Sequence, residues 1–275
     1  MTSWQSATVQ ANGLRLHYTR TGGDKPPLVL AHGFSDAGLC WTPVARALEG
    51  DYDVIMVDAR GHGLSQAAEQ DYGDLDLGHD LAGVIAALGL RRPAVLGHSM
   101  GAATALALAG AHPDVPGAIL LEDPPPRWVT QPAGGPNDQV WRARMHDRII
   151  GLKSKTREEL IAAQHAETPG WSEGELSPWA DAKLRVSLSV LQRGAAPVVD
   201  WLALVRGIVC PALLITADPT RGAIVADTDA AALQALVPQL RVAHIADAGH
   251  NIRRDQFDRY MQVVRGFLSE AYRAS

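Results

Sequence analysis

Short aliphatic runs recur along this chain, separated by stretches whose apolar residues return every three or four positions. The runs are Leu28–Ala31, Val54–Val57, Ala94–Leu96, Ala118–Leu121, Ala212–Thr216 and Val242–Ile245. Most carry no alternating polar position, as expected of strands covered on both faces. The periodic stretches predict helices at Trp41–Leu48, Leu77–Leu88, Met100–Ala111, Asp227–Leu236 and Asp255–Tyr272. Ahead of them, Ala7–Gln10 and Leu14–Thr19 flank Asn12-Gly13, the sequence signature of a tight hairpin. The alternation predicts an α/β fold: a mostly parallel sheet with helices on both faces, led by an antiparallel hairpin.

The rhythm breaks once. From Asp123 to about Gly207 there is no convincing strand, and five of the seven Trp residues fall here: Trp128, Trp141, Trp171, Trp179 and Trp201. Pro124-Pro125-Pro126 opens the stretch and Gln131–Pro136 reads as a loop. Gln139–Leu152, Arg157–His165 and Pro178–Leu191 read as helices. The expected organisation is a core made of residues 1–123 and 208–275, with residues 124–207 inserted as a helical cap over the strand ends.

Composition narrows the function classes. A hydrophobic content of 47% with 20% charged residues is that of an ordinary globular protein, and a net charge of −5 with dispersed Arg gives no footprint for nucleic acid. The start has neither a basic region nor an apolar one of secretory type, and no apolar run approaches a membrane span, so a cytoplasmic protein is expected. Two distant cysteines, Cys40 and Cys210, read as buried free thiols. There is no H-E-x-x-H, no Cys cluster and no dinucleotide-type glycine motif after a strand, so no metal or organic cofactor is expected.

The chemistry centres on Gly97-His98-Ser99-Met100-Gly101, which stands between a predicted strand and a helix made almost wholly of Ala and Leu. That context makes Ser99 a nucleophile candidate, exposed on a sharp turn at the sheet edge. Serine needs a base, and His250 lies in a loop between the last strand and the last helix, where a parallel sheet delivers it to the same edge. An oxyanion hole needs two backbone N–H groups. Met100, directly after the nucleophile, offers one, and Phe34 in His32-Gly33-Phe34 offers the other.

Taken with Asp58–Ser65 and Ala248-Gly249-His250, these motifs resemble the α/β-hydrolase superfamily over essentially the whole chain. The resemblance implies a cofactor-independent serine hydrolase acting on a small-molecule carboxylic ester or lactone through an acyl-enzyme. Carbon–carbon bond hydrolysis of a diketone, or a ligand receptor on the same fold, are the alternatives. Asp58–Ser65 is then structural. Many relatives place the acid after the strand Ala212–Thr216, but here Thr220 stands at that position and Asp218 two residues early. Others carry it after the preceding strand, which ends Glu122-Asp123. Glu122 is the preferred acid, with Asp218 the alternative. Trp128, Trp141 and Trp179 are the candidates for lining the substrate pocket.

Overall fold

The computed structural model describes residues 4–129, 136–192 and 199–273; the expected loop at 131–135 lies outside them. Eight strands form one sheet: β1 (Gln5–Ala11), β2 (Leu14–Arg20), β3 (Pro27–Ala31), β4 (Asp53–Val57), β5 (Ala94–His98), β6 (Ala118–Glu122), β7 (Ala212–Thr216) and β8 (Leu240–His244). Their order is β1-β2-β4-β3-β5-β6-β7-β8. β1 and β2 are antiparallel to their neighbours and the rest are parallel. The hairpin turns on Asn12 and Gly13, both at positive φ, which matches the twist of the two strands.

Every residue of β4, β5, β6 and β7 is buried, which is why these strands read as unbroken apolar runs. Helices α2 (Asp74–Ala87), α3 (Met100–Ala111) and α8 (Asp227–Leu236) cover one face, packing around Val29, Val95, Ile119 and Leu121. On the other face, α1 (Thr42–Leu48) and α10 (Phe257–Arg273) cover Leu30, Leu96 and Leu120. Successive strand residues point to opposite faces, so each strand serves both cores. β4 lies on one side of β3 and β5 on the other, so the chain reverses direction across the sheet there. The crevice at the carboxyl ends of β3 and β5 is the place where such sheets bind ligands.

Between β6 and β7 the described residues hold helices and no strand: α4 (Pro136–Lys153), α5 (Arg157–Glu167), α6 (Glu173–Arg185) and α7 (Trp201–Arg206). α6 begins five residues before the expected Pro178, which sits inside it. Proline withholds the N–H that would reach the carbonyl of Gly174, but one missing bond does not end a helix whose other face is packed. Short α9 (Ile252–Asp255) precedes α10. Among the described residues, no helix is long and apolar enough to cross a membrane.

Candidate active site

Ser99 turns the chain from β5 into α3 with φ 52° and ψ −114°, a conformation costly for any residue bearing a Cβ. The turn is tight enough to dictate its neighbours. A Cβ on Gly97 would lie 2.2 Å from the carbonyl oxygen of Gly101, and one on Gly101 would lie 2.1 Å from that of Ala31. The Ser99 N–H donates to the Glu122 carbonyl at 2.9 Å, fixing the turn to the end of β6. The loop after β3 packs directly on it: a Cβ on Gly33 would stand 3.5 Å from that of Ser99. Neither the Phe34 N–H nor the Met100 N–H meets an acceptor among the described residues.

His250 stands at the same edge. Its Nδ1 lies 2.6 Å from Oδ2 of Asp123, whose side chain is fully buried. A carboxylate only accepts, so Nδ1 is the donor in this contact. Asp123 also accepts from the N–H groups of Ile224 at 2.9 Å and Val225 at 3.0 Å, which holds its carboxylate in one orientation.

Glu122, the expected acid, does not meet His250 in the structure. Ala118, Leu120 and Glu122 alternate onto the α10 face of β6, and Glu122 meets Arg253 there at 3.1 Å, both side chains fully buried. Burial pushes the Glu122 carboxyl up, against the pull of Arg253. Asp123 is the first residue beyond the strand and turns at φ 43°, so it leaves the alternation and reaches the edge. Face parity was the signal available in the sequence. Asp218 is elsewhere too: it pairs with Nε2 of His244 at 3.0 Å and accepts the Asp247 N–H at 2.8 Å.

Other histidines frame the site. His98 alternates onto the same face as Glu122, opposite it in register, and its Nε2 donates to the His250 carbonyl at 2.9 Å. Burial, then the charge of Arg253, holds His98 far below the usual histidine range. His32 donates from Nδ1 to the Gly33 carbonyl and accepts the Ala59 N–H at Nε2. The Asp58 segment is a brace. Its carboxylate takes the N–H groups of Gly38 and Leu64 and the ring of His17.

The three tryptophans separate. Trp141 lies against Phe34, ring centroids 5.4 Å apart. Trp128 is instead part of the sheet core, its indole N–H donating to the Asp229 carbonyl at 2.7 Å. Trp179 packs with Leu160 and Ala180 inside the inserted helices. Among the described residues, no group of three or more His, Cys, Asp or Glu is arranged to hold a metal ion.

The structure thus brings to one sheet edge a serine on a strained strand-to-helix turn and a histidine held by a buried carboxylate. The sequence profile described as alpha/beta hydrolase fold matches residues 26–253, and the chain belongs to that family and is a hydrolase. It is 30% identical to the N-formylmaleamate deformylase of Pseudomonas putida, covering 94% of this chain and 95% of that one. The crystal structure of the N-formylmaleamic acid deformylase from Pseudomonas putida S16 superposes with a TM-score of 0.78 at 26% identity, over 94% of this chain and 100% of that one. The enol-lactonase of Burkholderia xenovorans LB400 gives 0.72 at 25% identity, over 95% and 99%.

Proposed function

We propose that the protein is a serine hydrolase that cleaves a small carboxylic ester or lactone through an acyl-enzyme, with Ser99, His250 and Asp123 as its triad. The observation that carries this reading is the 2.6 Å contact between Asp123 and His250 at the sheet edge where Ser99 turns. Ser99 Oγ attacks the carbonyl carbon while Nε2 of His250 takes its proton. Asp123 holds the Nδ1 proton in place and stabilises the imidazolium. The N–H groups of Phe34 and Met100 receive the oxyanion. The tetrahedral intermediate collapses as His250 returns the proton to the leaving alkoxide. His250 then deprotonates water, whose attack on the acyl-enzyme releases the acid and restores Ser99. No step needs a cofactor.

Similarity to the deformylase favours a second substrate class, a small amide. The same parts serve it, because the proton held by His250 is what an amine leaving group requires. We read residues 124–207 as a cap that shapes the pocket. Trp141 is the wall nearest the oxyanion loop, in an apolar cluster with Phe34, Tyr72, Met145, Val186 and Val190.

A fluorophosphonate probe should add one label to the intact protein and none to Ser99→Ala. Aryl esters, lactones and N-formyl or N-acetyl amides, assayed side by side, should show multiple turnovers for at least one class. Turnover of that class should fall by about 10⁶ in Ser99→Ala. Labelling that persists in the variant defeats the assignment of Ser99. A stall after one equivalent of every substrate points instead to a ligand receptor.

A further inference from the structure

Lys183, on α6, is 4% exposed although it belongs to the most solvent-seeking of side chains. Its ammonium donates three hydrogen bonds, all to one turn of the core: the Ser35 carbonyl at 3.0 Å, Ser35 Oγ at 3.0 Å and Asp36 Oδ1 at 2.6 Å. That turn directly follows Phe34. Ser35 holds φ 62°, in the left-handed region that disfavours a residue with a Cβ, so its surroundings must hold it there. Within the turn, the Asp36 N–H closes on the Gly33 carbonyl at 3.1 Å, and the Ser35 N–H points to Nε2 of His62 at 3.4 Å. The Ser35 carbonyl and hydroxyl are fixed by Lys183.

Asp36 extends the contact to the other side of the site. Its Oδ2 accepts from Arg254 at 3.0 Å and lies 3.6 Å from Arg253, both on α9, within four residues of His250. Burial opposes ionisation of Asp36, but Lys183 and the two arginines together hold its carboxyl well below the usual range. Arg254 pairs in addition with Glu175 of α6, and Arg253 with Glu122 of β6. Three buried anions and three buried cations thus join the oxyanion loop, the segment after His250 and the inserted helix.

We propose that Lys183 is a positioning residue of the oxyanion hole, supplied by α6 to fix the Phe34–Asp36 turn so that the Phe34 N–H faces the carbonyl bound at Ser99. The proposal rests on the assignment of Ser99 and Phe34 given above. A donor aimed at the oxyanion acts on the transition state more than on bound substrate. Its misplacement therefore lowers kcat and leaves KM nearly untouched. Removing one oxyanion donor outright costs about 10²–10³ in kcat, which bounds the effect.

The test compares wild type, Lys183→Met, Asp36→Asn/Lys183→Met and Ser99→Ala, using p-nitrophenyl acetate and an aryl boronic acid that forms a tetrahedral adduct on serine. Lys183→Met should lower kcat by about 10- to 100-fold with KM changed less than about threefold, and weaken the boronate by a similar factor. The double variant removes the lysine without leaving a buried charge unpaired, because Arg254 and Arg253 keep Glu175 and Glu122. It should fold, by circular dichroism, and remain slow. Recovery of wild-type kcat in the double variant means that Lys183 only neutralises Asp36, and overturns the proposal. So does a Lys183→Met enzyme whose kcat stays within twofold of wild type, or one that loses KM alone. Ser99→Ala separates the two levels. If it keeps activity or boronate affinity, the nucleophile is wrong; if it is inactive while the lysine variants are normal, only the positioning role fails.

Discussion

With Asp123 replaced by Asn, His250 would keep a neighbour of the same shape but lose the charge that faces its Nδ1. The amide can also present its NH₂ to the ring, favouring the tautomer with the proton on Nε2, which cannot act as a base. The expected fall in kcat for Asp123→Asn is on the order of 10⁴, with the fold intact. Glu122→Gln should do the reverse. It weakens a fully buried pair and leaves Arg253 short of its countercharge, which should cost about 3 kcal/mol of stability while the folded fraction keeps its activity within about tenfold. Urea titrations beside initial rates on the same ester separate the two, and an inactive Glu122→Gln beside a near-normal Asp123→Asn would return the role to Glu122. The two residues are adjacent in sequence, and chemistry alone does not rank them. Strand parity does, because Ala118 and Leu120 already mark the face to which Glu122 must point. The strand-to-helix turn at Ser99 and the loop that carries His250 were legible from local context. Which of the two carboxylates meets His250 was not, because it depends on where one strand ends.

At the scale of elements, the strands were the most legible part, since an aliphatic run buried on both faces leaves little choice of conformation. The inserted helices were less so. Their Trp residues carry the same sequence signal whether they fill the insertion, plug into the sheet core or face the cleft, and only tertiary contacts decide. Trp201 and α7 illustrate this: the helix lies in the inserted stretch, yet Trp201 joins the core built on α3. A consequence can be measured. Trp141→Ala should change the ratio of kcat/KM between short and bulky acyl esters by about tenfold while stability falls modestly, because the ring stands beside Phe34. Trp128→Ala empties a buried site and removes the hydrogen bond to the Asp229 carbonyl, and should cost about 3–5 kcal/mol with equal effects on all substrates. If Trp128→Ala shifts the acyl preference and Trp141→Ala does not, the pocket wall has been misassigned.

For the whole molecule, the buried histidines set the response to acid. His32 and His62 each use one ring nitrogen to donate to a carbonyl and the other to accept an N–H, an arrangement open only to the neutral ring. Burial lowers both, His62 to about 3, and holds His98 lower than the usual range as well. The sign follows from proton binding. Below about pH 6.5 the unfolded chain protonates these rings and the folded chain does not, so stability falls as pH falls. For His62 the loss is on the order of 1 kcal/mol at pH 5.5 and grows as the pH falls further, until the folded ring titrates at about 3. His32 and His98 add in the same direction. Asp36, whose carboxyl is depressed in the fold, keeps its contribution until the pH drops below the ordinary carboxylate range, so the histidines act first. His62→Gln retains an acceptor for the Ser35 N–H but cannot titrate. Urea unfolding of both proteins at pH 7.5 and 5.5 should therefore show the variant less stable than wild type at the higher pH, with that deficit smaller by roughly 1 kcal/mol at the lower one. A deficit that stays constant between the two pH values would mean that His62 is protonated in the folded protein, and that the neutral-ring bonding around the oxyanion loop is wrong.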